Sequence, residues 1–381
     1  MAAPNPPDLG IGIIGCGNIS AAYLRLAPLF KGIEMRAVAD LNMEAASARA
    51  EEFGVRAETV DALLAAKDID IIVNLTIPAA HFQVTRAILE AGKHAYSEKP
   101  FVLSVDDGRA LKQIADEKAL RIGSAPDTFL GGAYQTARQL VDDGAIGTVT
   151  AGTCHVMSHG MEDWHPNPDF FFQPGAGPML DVGPYYITNL LQLLGPVRRI
   201  AALTSSAQAE RTITSQPRRG EKIKVGTPTN IHALLEFHQG ATITVSTSWD
   251  VWAHRHGPME LYGTKGSLFV PDPNFFGGSV ELSSLGATPD NIDISQHPFS
   301  RPNDEMDDDP RANYRVSGLA DMARAITEGG PHRCSFELAL HAVDVMNLVL
   351  TSGEAGEFVQ PSTVCERPQP LSASEASALL K

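Results

Sequence analysis

Along the first third of the chain, short apolar runs alternate with stretches whose apolar residues recur at helical spacing. The run GIGIIG over residues 10–15 predicts a strand closed by glycine, and residues 19–30 then carry the spacing of a helix. A second β-rich run, 34–39, ends at Asp40, and residues 43–53, rich in Ala and Glu, predict a helix. A helix over 60–66 and a strand over 69–75 follow. After Pro78 a helix over 81–91 stops at Gly92, and a strand over 94–97, a helix over 105–118 and a strand over 121–124 complete the set. Strands alternating with helices of this length mean βαβ units in a parallel, doubly wound α/β sheet.

Beyond Pro126 the rhythm changes. A helix is expected over 133–143, and then period-two runs appear at 148–157, 197–203, 230–237, 241–249 and 257–262. Strands in succession point to a large, open, mainly antiparallel sheet in a C-terminal α+β domain. Helices are expected at 185–194, 315–328 and 337–350, the last able to fold back on the first domain. The polar, proline-dotted stretch 283–313 reads as a long loop. A chain of 381 residues is long enough for two cores, and the change of rhythm divides it into 1–126 and 127–381.

Charge narrows the choice of partners. The formal net charge is −15 and no run of Lys and Arg offsets it, so neither nucleic acid nor a membrane surface is an expected partner. The N-terminus has no basic segment followed by an apolar one, and nowhere do about 18 apolar residues run uninterrupted. A soluble, cytoplasmic protein is expected, with a few disordered residues at Pro4, Pro6 and Pro7. Cys16, Cys154, Cys334 and Cys365 form no CxxC pair and read as reduced thiols. No metal is expected, since the one tight His pair, His254 and His256, has a spacing more often met on a surface.

The turn Gly15-Cys16-Gly17-Asn18-Ile19-Ser20 follows a predicted strand and opens a predicted helix, the context that gives a G-x-G match meaning. Gly15 permits the tight turn. Gly17 lets the backbone approach a pyrophosphate resting on the helix N-terminus beside Asn18 and Ile19, where free N–H groups favour anions. The third glycine of the fingerprint is absent, and Ser20 or Ala21 stands in its place. Asp40 can accept hydrogen bonds from ribose hydroxyls and repels a 2′-phosphate, which favours NAD with NADP still open; an Asp there can also simply cap the next helix.

Ser97-Glu98-Lys99-Pro100 follows a strand at the ligand-binding edge of the sheet, so Lys99 faces the cofactor and Glu98 can hold either Lys99 or the ribose. Taken together, the G-x-G turn, Asp40, Thr76-Ile77-Pro78 with His81, Glu98-Lys99-Pro100 and the segment Gly175-Ala176-Gly177 before Asp181-Val182-Gly183 resemble the glucose-fructose oxidoreductase, inositol dehydrogenase and MocA family over almost the whole chain. The resemblance implies a Rossmann domain with Thr76, His81, Glu98 and Lys99 near the cofactor, hydride transfer to or from a sugar, cyclitol or related polyol, and a homodimer or homotetramer formed through the open sheet.

It also implies a catalytic set of Lys99, Asp181 and a His four residues after that Asp. Here the fourth residue is Tyr185. Tyrosine starts from a pKa of roughly 10, where His is near neutrality, so three proton paths stay open: Tyr185 with its phenolate stabilised by Lys99, Lys99 alone, or another histidine. His165, next to Trp164, is the first such histidine, and His155 and His159 are weaker candidates. Tyr185 and Tyr186 can equally be core aromatics, and Trp164, His165 and Tyr186 are candidate substrate contacts. The substituted histidine also leaves open a dinucleotide-binding sensor without turnover, or an enzyme that keeps NAD bound and cycles it internally.

Overall fold

The computed structural model describes residues 8–306 and 309–381, so the expectation for Pro4, Pro6 and Pro7 lies outside the described residues. The chain forms two compact units. One comprises Met1–Gly131, His297–Leu340 and Pro368–Lys381, the other Gly132–Gln296 and His341–Arg367. Where the sequence reading has one boundary after residue 126, the units are interleaved along the chain.

Six parallel strands form the sheet of the first unit: β1 (Leu9–Ile14), β2 (Ile33–Ala39), β3 (Arg56–Glu58), β4 (Ile71–Asn74), β5 (His94–Ser97) and β6 (Ile122–Ser124). Helices α1 (Asn18–Leu26), α2 (Met43–Phe53), α3 (Val60–Ala65), α4 (His81–Glu90) and α5 (Val105–Glu117) connect them. All four residues of β4 are buried, as expected of a strand covered on both faces. The α2 boundaries follow from local chemistry: the Asn42 side chain accepts the Glu44 N–H, and Gly54 ends the helix in the left-handed region. β3 escapes the sequence reading because its three residues are polar or small and two of them are exposed. The strand order β3-β2-β1-β4-β5-β6 reverses direction between β1 and β4, and ligands bind at the carboxyl ends of strands at such a switch point.

The second unit contains α6 (Gly132–Asp142), β7 (Val149–Met157), α7 (Gly177–Asp181), α8 (Gly183–Leu194), β8 (Val197–Ser205), β9 (Glu210–Thr212), β10 (Lys222–Lys224), β11 (Asn230–Phe237), β12 (Thr242–Ser248), β13 (Met259–Gly263), β14 (Gly266–Val270), β15 (Glu281–Ser284) and β16 (Asp290–Asn291). Eight strands form one sheet in the order β16-β15-β14-β13-β7-β12-β11-β8. Only the β7–β12 pair is parallel. Alternation sets the faces of β11: Ile231, Ala233, Leu235 and Phe237 are buried, whereas His232 and Leu234 are exposed. Every residue of α8 is buried.

The stretch expected as a long loop, 283–313, is more structured than that. It holds the end of β15, β16, a 3-10 turn at Pro298–Ser300, and the hairpin β17 (Asp304–Met306) and β18 (Asp309–Arg311). Phe299 anchors it, stacked on Tyr314 at 4.6 Å and edge-on to Phe30 at 6.0 Å, contacts that no local polarity pattern announces. The chain then forms α9 (Ser317–Glu328), α10 (Phe336–Ala355) and α11 (Ala373–Leu379). α10 begins in the first unit, but from His341 onward it belongs to the second, which limits the expected packing of this helix on the first domain. His341 shows why: its Nε2 accepts the Val197 N–H at 3.0 Å, and burial pushes its pKa down to about 4, so the ring stays neutral.

Arg333 ties the C-terminus to the first unit. It is buried, donates to Asp321 at 2.6 Å and Glu375 at 2.8 Å, and also donates to the carbonyls of Gln369 and Pro370. Arg333→Met is expected to cost about 3–5 kcal/mol, because it leaves the buried Asp321 carboxylate without its cation. Urea unfolding measures the cost, and limited proteolysis should show earlier cleavage within residues 368–381.

Candidate functional sites in the two units

In the first unit the chemistry gathers at the carboxyl ends of β1, β4 and β5. Gly15 has φ +107°, and a Cβ there would meet the Leu75 backbone at 2.7 Å, so only glycine fits where β1 turns beside β4. Gly17 is different. It precedes α1, and a Cβ built on it would meet nothing within 4 Å, so the fold itself does not demand glycine there. A bare backbone facing open space at a helix N-terminus fits the close approach of a pyrophosphate beside Asn18 and Ile19. Ser20, in the place of the third fingerprint glycine, is buried and donates its hydroxyl to the Gly17 carbonyl at 2.6 Å.

Asp40 is pinned beside this turn, accepting the Cys16 N–H at 2.7 Å and the Asn42 N–H at 2.9 Å. Because Asn42 caps α2, Asp40 is not spent on that role. Thr76 donates its hydroxyl to Asn74 at 2.6 Å. His81, expected near the cofactor, is fully buried with both ring nitrogens facing backbone carbonyls, Pro100 O at 2.7 Å and Thr76 O at 2.9 Å. It therefore joins the turn after β4 to the turn after β5. Burial lowers its pKa, with Lys99 adding to that, against the hydrogen bonds and the charge of Glu98.

Glu98 lies beneath the Lys99 turn. Its Oε2 accepts the Lys99 N–H at 2.9 Å, while Oε1 accepts from the Tyr23 hydroxyl at 3.0 Å and from Arg315 at 3.2 Å. Glu98 thus holds the Lys99 backbone. Burial works to raise its pKa, but the charges of Arg315 and Lys99 and these hydrogen bonds outweigh it and hold the carboxyl below the usual range. Sequence reasoning missed Tyr23 and Arg315. Their roles depend on long-range contact: Asp127, buried, accepts from Val316 N, Ser317 Oγ and Gly318 N at the start of α9 and so delivers Arg315 to Glu98.

In the second unit, Asp181 closes α7 and Tyr185 lies in the first turn of α8; Asp181 is half-buried and Tyr185 buried. Tyr186 is a packing residue. It is buried, donates its hydroxyl to Asp272 at 2.8 Å, and has its pKa driven far up by burial and by Asp272. Trp164 and His165 lie in an aromatic loop after β7, with His165 edge-on to Trp164, Phe170 and Phe171. That loop rests on a cluster of Phe172, Ile213, Ile223 and Trp249. His155 stacks on His256 at 4.2 Å and His159 on Trp252 at 3.4 Å. Among the described residues, no group of three or more His, Cys, Asp or Glu is arranged to hold a metal ion, and no helix is long and apolar enough to cross a membrane.

Comparison with known proteins follows the same division. Residues 9–125 match "Oxidoreductase family, NAD-binding Rossmann fold" and residues 134–269 match "GFO/IDH/MocA C-terminal domain". The chain belongs to the Gfo/Idh/MocA oxidoreductase family. Among Gfo/Idh/MocA relatives, inositol 2-dehydrogenase of Rhizobium meliloti is 34% identical over 259 residues, 68% of this chain and 74% of the relative. The dTDP-3,4-didehydro-2,6-dideoxy-alpha-D-glucose 3-reductase of Streptomyces violaceoruber is 31% identical over 267 residues, 68% of this chain and 72% of the relative. In fold, the chain is similar to levoglucosan dehydrogenase in complex with NADH, with TM-score 0.79, 20% identity, and coverage of 94% of this chain and 100% of that one.

Arg315→Met tests the Glu98 network. The pairing stabilises the fold above the ordinary carboxylate pKa and fades as pH falls and Glu98 protonates. A loss of about 3 kcal/mol is expected at pH 7 and down to the ordinary carboxylate range, shrinking only below about pH 4 as Glu98 protonates, as read by urea unfolding from about pH 7 to about pH 3.

Proposed function

We propose that this Gfo/Idh/MocA member is an NAD-dependent dehydrogenase or reductase acting on a CH–OH carbon of a sugar, cyclitol or related polyol. The observation that carries the reading is the Lys99 turn, held at the carboxyl edge of the parallel sheet by Glu98 and His81. Bare Gly17 and pinned Asp40 fit a dinucleotide, and the Asp40 carboxylate favours ribose hydroxyls over a 2′-phosphate. The bound nicotinamide supplies the carbon that accepts or returns hydride.

The chain's own residues supply orientation and proton transfer. Lys99 donates to the carbinol oxygen, Asp181 orients the substrate hydroxyls, and Tyr185 takes part in the proton path in place of the family's histidine. His165 and Trp164 contact substrate from their loop. Relatives named for inositol, levoglucosan and xylose support the polyol class. On the open sheet face, exposed Leu203 and Leu234 lie beside exposed Phe358, an apolar patch suited to cover by a second copy of this chain. We place the protein in the cytoplasm.

A spectrophotometric screen of nicotinamide absorbance with inositols, aldoses and ketoses should show turnover. Lys99→Ala should lower kcat about 10²–10⁴-fold, and Tyr185→Phe should lower it if the phenol carries the proton. Turnover surviving Tyr185→Phe moves the proton to Lys99 or His165. NADH binding without any absorbance change would favour the sensor or the internally cycling enzyme. NAD should be preferred over NADP, and Asp40→Asn should narrow that preference about tenfold in kcat/KM.

A further inference from the structure

A dinucleotide that carries a 2′-phosphate needs a cation beside its adenosine ribose, at the end of β2. The residues that directly follow Asp40 supply none, being Leu41, Asn42 and Met43. The cation comes from further along the chain. Arg49 lies in the second turn of α2, and helical side chains lean towards the N-terminus of their helix, so the guanidinium is carried back to the level of the Gly17 turn. There its Nη2 donates to the Gly17 carbonyl at 3.4 Å, and the Phe53 ring lies 5.9 Å from its central carbon.

Asp40 reaches the same turn from the end of β2, accepting the Cys16 N–H. The Cys16 thiol registers both charges: burial and Asp40 push its pKa up to about 11, and Arg49 pulls against them. Asp40 and Arg49 do not pair with each other. Among the described residues, the carboxylate that Arg49 meets is Glu52, at 2.6 Å, and the Glu52 side chain is 54% exposed, so a buried partner does not hold the guanidinium. The two hydrogen bonds of Arg49 use one N–H of each Nη, and each Nη carries two, which leaves a pair of donors in the fork geometry that suits phosphate. Asp40, for its part, has one oxygen on the Cys16 N–H and the other on the Asn42 N–H. These donors answer part of its charge and soften its repulsion of a phosphate, while its remaining lone pairs can accept ribose hydroxyls.

We infer that Arg49 lets this chain accept a 2′-phosphorylated dinucleotide, its guanidinium holding the 2′-phosphate, while Asp40 serves the unphosphorylated ribose of NAD. Glu52 is the competitor that the phosphate displaces. The inference rests on the dinucleotide reading of this site and adds a second cofactor form to it: NAD is preferred and NADP is accepted.

The test is calorimetric titration of the full chain, without substrate, using NADH, NADPH, 5′-AMP and adenosine 2′,5′-bisphosphate. The unaltered chain should bind NADPH about tenfold more weakly than NADH. Arg49→Gln should weaken NADPH and the bisphosphate about tenfold further and leave NADH and 5′-AMP within about twofold. Arg49→Lys, which keeps the charge and loses the fork, should fall between. Glu52→Gln, at an exposed position, should tighten NADPH about threefold and leave NADH unchanged; if Arg49→Gln does not fold, this variant decides, and no gain for NADPH counts against the inference. NADPH affinity indifferent to Arg49→Gln would overturn it, as would an equal loss for NADH and NADPH, which would put Arg49 on the pyrophosphate. NADH binding without any NADPH binding removes this inference alone, whereas failure to bind either dinucleotide removes the cofactor reading with it.

Discussion

The first unit depends on a buried charge arrangement: Glu98, beneath the Lys99 turn, balanced by Arg315 from just before α9. A carboxylate in that position is tolerable only with its charge answered and its oxygens occupied. Tyr23, the Lys99 N–H and Arg315 do this together. Asp127 makes it possible, because its hold on Val316, Ser317 and Gly318 fixes where Arg315 emerges. The return of residues 297–340 to the first unit is therefore part of how the Lys99 turn is built.

His81 performs the complementary task at backbone level. By joining the Thr76 and Pro100 carbonyls it couples the turn after β4 to the turn after β5. Carbonyls only accept, so both contacts are hydrogen bonds when both ring nitrogens carry protons, while burial favours the neutral ring. The residue sits where these demands oppose one another. Both of its ring nitrogens are thus taken up by turn geometry.

The second unit uses its sheet differently. One face is covered, with α8 buried throughout, and the other leaves Leu203 and Leu234 exposed. The candidate site residues lie in the connections: Asp181 and Tyr185 are at the α7–α8 junction, and the aromatic loop after β7 is secured by a small apolar cluster with the β9–β10 hairpin. Arg211, on β9, draws the same loop inward through Glu162.

Local patterns in the sequence determined most of the architecture: the alternating strands and helices before Pro126, the period-two strands after it, the Gly15 turn, Asp40 and the position of Lys99. These signals survive because buried parallel strands, amphipathic helices and tight turns each impose a short-range residue pattern. What only the tertiary structure decided involves partners distant along the chain. Tyr23 and Arg315 meeting at Glu98, His81 joining two turns, Tyr186 committed to Asp272, Phe299 ordering the stretch expected to be a loop, and the short polar strand at 56–58 all belong here. Their chemistry arises from long-range burial and charge pairing, which set no periodicity along the chain and so leave no local trace in it.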